Sequence, residues 1–73
     1  MNKELTIKIL SELIELKSQF DNKDREMTFR ITAFPHLYVN VYPYSENPFL
    51  KVDLRSITEE ECEEAIQKVK DLL

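Results

Sequence analysis

With 73 residues, 33% of them charged and a formal net charge of −4, the chain has room for one small core and not for a cleft walled on every side. A single cysteine excludes an internal disulfide and the absence of glycine excludes every glycine-based phosphate-binding loop. No apolar run approaches the length of a membrane span or a signal-peptide core, so the expectation is a soluble cytoplasmic protein whose lone thiol, Cys62, sits in a reducing compartment. A core this small rarely leaves more than about 3–5 kcal/mol of net stability without a disulfide, a metal or a partner subunit. The charge is unevenly spread: residues 1–58 balance, and the whole acidic excess falls in the last stretch, where Glu59, Glu60, Glu61, Glu63, Glu64 and Asp71 face only Lys68 and Lys70.

The chain reads as a single α+β domain over 1–73, ordered helix, three strands, helix. In residues 3–20, Leu5, Ile9, Leu13, Leu16 and Phe20 fall on one narrow arc of a helical wheel, the stripe of a core-facing helix. Asn2 is its expected N-cap and Asp21-Asn22 its expected stop. Ile7, Leu10 and Ile14 widen the apolar arc beyond what a sheet alone covers, and the closing helix is expected to cap them. Next, Met27, Phe29, Ile31 and Ala33 alternate with Thr28, Arg30, Thr32 and Phe34, the period of a half-buried strand. Pro35 breaks that run. His36 to Tyr44 then alternates Leu37, Val39 and Val41 with Tyr38, Asn40, Tyr42 and Tyr44. After a turn around Pro48, Leu50, Val52 and Leu54 mark a third strand. Thr58 with Glu61 forms a capping box, Ile57 is placed to staple onto Cys62, and Cys62, Ala65, Ile66, Val69, Leu72 and Leu73 give the last helix its apolar face.

Side-chain parity must survive each hairpin, so the strands form an antiparallel meander of order 1-2-3 with both helices on its aliphatic face. A connection over Phe34–His36 pairs Ala33 with Leu37 and Ile31 with Val39; a turn over Ser45–Pro48 pairs Val41 with Val52. This register sets Tyr42 beside Lys51, Tyr38 beside Arg55, and Arg30 across Asn40 from Asp53, with Tyr44 and Phe49 opposed at the open end.

The outer face is the first candidate site: Arg30, Tyr38, Asn40, Tyr42, Tyr44, Phe49, Lys51 and Arg55 have the aromatic and arginine-rich composition of protein interfaces. Aromatic residues also simply suit a pleated surface, and cross-strand pairs stabilise a small sheet. The second candidate is the acidic strip Glu59, Glu60, Glu63 and Glu64, which would dock on a basic surface. Carboxylates one turn apart could hold a divalent cation weakly, but acids in a first turn chiefly favour the helix dipole, and no metal or other cofactor is expected. His36 reads as an exposed turn residue and Cys62 as an inert buried thiol, so no catalytic residues and no small-molecule substrate are expected.

The order helix, three-stranded meander, helix resembles that of double-stranded-RNA-binding domains over the whole chain. In that family a lysine-rich start to the second helix contacts phosphates. The matching segment here, SITEEECEEAIQKV, carries glutamates that would repel them, and the His36 hairpin lacks a preceding glycine. The resemblance implies a shared architecture without the binding chemistry. The expected function is a small non-enzymatic interaction module, an adaptor, subunit or inhibitor; its compactness and acidity would suit an inhibitor from a mobile element. Its expected partner is another protein or, given the broad apolar arc, a second copy in a homodimer. The alternative is a nucleic-acid binder using Tyr38, Tyr42, Arg30, Lys51 and Arg55.

Overall fold

The computed structural model describes residues 3–32, 35–42 and 49–73. Helix α1 spans Lys3–Asp21, strands β1, β2 and β3 span Glu26–Thr32, His36–Tyr42 and Leu50–Asp53, and helix α2 spans Glu59–Lys70. The sheet is antiparallel in the order β1-β2-β3. Both helices cover one face of it, because Ile9, Leu13, Leu16 and Phe20 of α1 and Cys62, Ala65, Ile66 and Val69 of α2 share one buried cluster with Met27, Leu37, Val39, Val41 and Val52. Along β2 burial alternates residue by residue, aliphatics inward, as the period-two pattern requires.

Helix α1 ends at Asp21, at the expected stop, but Asn22 is not the left-handed residue that closes it. Asn22 still donates to Ser18 in helical fashion at 3.1 Å, and the left-handed residue is Asp24, with φ 54°. Arg25 N–H donates to the Phe20 carbonyl at 3.0 Å and Asp24 N–H to that of Asp21 at 3.2 Å, the two bonds of a Schellman motif with Asp24 at C′. The contact that accompanies such a cap is made by the Arg25 guanidinium, 5.0 Å from the centre of the Phe20 ring. Arg25 also donates to the Leu72 carbonyl, and Lys23 Nζ to that of Leu73 at 3.3 Å, so this loop holds the end of α2. The expected cap Asn2 lies outside the described residues.

At the start of α2, Thr58 is extended (φ −102°, ψ 164°) and its hydroxyl oxygen accepts from Glu61 N–H at 3.1 Å. The Glu61 carboxylate returns to the hydroxyl itself, Oγ1 to Oε1 3.1 Å, rather than to the Thr58 amide of a full capping box. Ile57, as expected of a staple, is buried with Cys62.

Strand parity holds while the register slips by even steps. Thr32 faces His36, so Ile31 pairs with Leu37 and Phe29 with Val39, and the connection is residues 33–35 instead of 34–36. Val52 pairs with Leu37 instead of Val41, and Leu50 with Val39; the expected turn over Ser45–Pro48 lies outside the described residues. A slip of two leaves every aliphatic on its own face, so the hydrophobic pattern cannot resist it; only turn geometry can. The expected cover over α1 is not formed either. Leu10 packs partly on the core, but Ile7 and Ile14 stay 56% and 62% exposed, because α2 lies along the other flank, where Lys8 meets Glu63 at 3.5 Å.

Candidate functional site

The corrected register rebuilds the outer face. Arg30, Tyr38 and Lys51 now stand in one row across the three strands. The Tyr38 ring is clasped from both sides: the Arg30 guanidinium carbon lies 5.6 Å and the Lys51 ammonium 5.8 Å from its centre, both within cation–aromatic range. The expected pairings of Tyr38 with Arg55 and of Tyr42 with Lys51 are therefore replaced by a single three-residue cluster. It stands on the central strand, whose backbone is bonded on both sides and whose inner residues Leu37 and Val39 are fully buried, so the ring has a rigid base.

Arg55 lies past the end of β3 and turns back on Asp53. Its Nη2 reaches Oδ2 at 3.1 Å, Nε reaches Oδ1 at 3.4 Å, and its backbone N–H donates to Oδ1 at 2.9 Å. These bonds hold the Asp53 carboxyl below the usual aspartate range and raise the guanidinium further. The expected meeting of Arg30 with Asp53 across Asn40 is not formed, since Asn40 faces Thr28 and Asp53 faces His36. Tyr42 sits opposite Glu26 at the far end of the β1–β2 ladder and is 69% exposed. Phe49 packs against the core and donates its N–H to the Val39 carbonyl at 2.9 Å, so it does not stand at the open end of the outer face. Tyr44 lies outside the described residues.

His36 belongs to this face and was not expected there. It opens β2 between Thr32 and Asp53, half-buried, its ring 6.4 Å from that of Tyr38 and tilted by 49°. Its Nδ1 and the Asn40 Oδ1 are both shielded from solvent without a hydrogen-bond partner among the described residues. The signal was the alternation itself: His36 has the parity of Tyr38 and Asn40 and becomes a strand residue once the turn is placed one position earlier.

The acidic strip is on α2, which covers the other face of the sheet. Glu59, Glu60, Glu63 and Glu64 are all exposed, Glu63 being engaged by Lys8. Glu64 lines a groove of about 180 Å³ with Lys68, Ala65 and the residues of β3. Cys62 is buried with its Sγ 4.0 Å from the Leu5 carbonyl, and burial pushes its thiol above the ordinary value. Among the described residues no helix is long and apolar enough to cross a membrane.

Comparison with protein-family models, with curated proteins and with solved structures finds no match. The resemblance to double-stranded-RNA-binding domains thus rests on element order alone.

Proposed function

We propose that this chain is a small, non-enzymatic protein-interaction module of the cytoplasm, an adaptor, subunit or inhibitor that binds through the outer face of its sheet. The observation that carries the reading is the Arg30–Tyr38–Lys51 cluster. An aromatic ring held between two cations on an outward-facing sheet has the composition of an interface hot spot. Tyr42, Asn40 and His36 extend the surface and Arg55 rims it, whereas Phe49 contributes from beneath. The acidic strip of α2 is a second contact for a basic partner.

The experiment is affinity capture from the source cell with the wild type, with Tyr38→Ser/Tyr42→Ser and with Ile14→Ser as a control on another surface. A partner retained by wild type and control and lost from the tyrosine variant supports the reading; equal retention by all three refutes it. The alternative, single-stranded nucleic acid stacked on Tyr38, is favoured by the same two cations, which lie across the sheet from the acidic helix. It predicts salt-sensitive mobility shifts with RNA or DNA oligonucleotides at low salt, where the protein-binding reading predicts none.

A further inference from the structure

A different surface from the outer face points to self-association. Among the described residues β1 pairs on one side only, with β2. Leu54 N–H donates to the Pro35 carbonyl, so the odd residues of β2 turn their backbone groups toward β3 and the even ones toward β1. By the same alternation the odd residues of β1, namely Met27, Phe29 and Ile31, direct N–H and C=O away from the sheet. The Met27 carbonyl is met there by Lys17 Nζ at 3.2 Å, which fixes the direction. Natural edge strands are usually shortened, bulged or studded with inward-pointing charge. This one runs for seven residues, and Lys17 guards one end of it.

The uncovered apolar surface gathers at that edge. Among the described residues the exposed large aliphatics are Ile7 and Ile14 of α1 and Ile31 of β1, the last at 48% although it lies on the core side of the sheet. α1 runs back along β1 from the Lys17–Met27 contact. Two strand residues advance about as far as four helical ones, which brings Ile14 to the level of Phe29 and Leu10 to that of Ile31.

We propose that a second copy of this chain covers this edge, β1 pairing antiparallel with β1 of the copy about a two-fold axis at Phe29. Phe29 then exchanges both backbone bonds with its own counterpart, and Met27 pairs with Ile31 of the second copy, whose amide takes the place of Lys17 on the Met27 carbonyl. The axis is perpendicular to the sheet, so all four helices stay on one face of a six-stranded sheet and the two α1 helices approach through Leu10, Ile14 and Ile7. On the outer face of this register Glu26 falls diagonal to Arg30 of the second copy, twice by symmetry, while Arg30 lies diagonal to its own counterpart once, so attraction outnumbers repulsion. The proposal goes beyond the outer-face reading and leaves the Tyr38 cluster exposed on both copies.

Sedimentation equilibrium at several concentrations, with amide hydrogen exchange at the highest, tests it. A dimer is expected, with the Phe29 and Ile31 amides protected in it and exposed on dilution. Ile31→Pro deletes a donor that points out of the monomer and so is tolerated there; it should abolish the dimer while leaving the circular dichroism spectrum intact. Arg30→Glu should weaken association about tenfold by turning both Glu26–Arg30 diagonals into like-charge ones, and adding Glu26→Arg should restore it. A monomer at millimolar concentration overturns the proposal, and so does a dimer whose Phe29 and Ile31 amides exchange freely or which the Ile31→Pro chain still forms. Should Ile31→Pro not fold, the charge reversal and its rescue decide alone, and absence of rescue overturns it.

Discussion

Replacing Tyr38 by serine separates what this ring does for the fold from what it offers to a partner. The ring has two cations in range, Arg30 and Lys51, each contact worth about 0.5–1 kcal/mol at a half-open site. Losing an aromatic side chain from a central strand adds up to about 1 kcal/mol. The expected cost is about 2 kcal/mol, against roughly 3–5 kcal/mol available to a domain of this size, so the variant stays folded with a thin margin. Tyr42, 69% exposed and outside any ring contact among the described residues, predicts a Tyr42→Ser cost within about 0.5 kcal/mol. Urea unfolding followed by circular dichroism reads both, and a cycle with Lys51→Met isolates the ring–cation coupling at about 0.5–1 kcal/mol. Equal shifts for the two serine variants, or zero coupling in the cycle, would refute the clasp as a stabilising element.

Three further outcomes are expected. Leu13→Ala should cost about 2–5 kcal/mol, most or all of the margin of a domain this small, while Ile14→Ala one position on should leave monomer stability within about 0.5 kcal/mol, because the first side chain is fully buried and the second is 62% exposed; denaturant midpoints check this. Thr58→Ala removes the hydroxyl that accepts from Glu61 N–H and should cost about 1 kcal/mol, with Thr58→Ser recovering most of it. The Cys62 thiol is raised above its ordinary value of 9.0 mainly by burial, so the fold favours the neutral form. That contribution is fully present below pH 9.0 and is lost as pH climbs through the folded-state value. Native protein should therefore alkylate far more slowly than urea-unfolded protein at neutral pH, and Cys62→Ala should flatten part of the alkaline fall in stability.

Element order, strand order and the identity of the buried layer were legible in the sequence, and for one reason. Leu37, Val39 and Val41 or Ile9, Leu13 and Phe20 repeat at periods that only one backbone geometry turns to a single side. Register was not legible, because a shift by two residues obeys the same periodicity, and the choice between 33–35 and 34–36 as the connection rests on backbone detail that no glycine advertises. The candidate site inherited that uncertainty. The right residue types were in view, and Tyr38 was rightly placed on the outer face, yet its neighbours changed from Arg55 to Arg30 and Lys51, and His36 moved from a turn into the sheet. Ile7 and Ile14 were visibly in excess of what a sheet covers; which element would cover them depended on the side of α1 that α2 chose, and Lys8 and Glu63 mark that side only after folding.

Asp24 shows how a chain without glycine reverses direction. It accepts the left-handed conformation with a Cβ in place, which disfavours the native turn by something under about 1–2 kcal/mol, aspartate being among the residues that tolerate it best. The return comes from the other side of the equilibrium: a polypeptide with a side chain at every position has fewer conformations to forfeit on ordering than one punctuated by glycine. Asp24→Gly would ease the turn and loosen the denatured ensemble together, and the near-cancellation of those two effects explains how so small a domain can forgo the residue altogether.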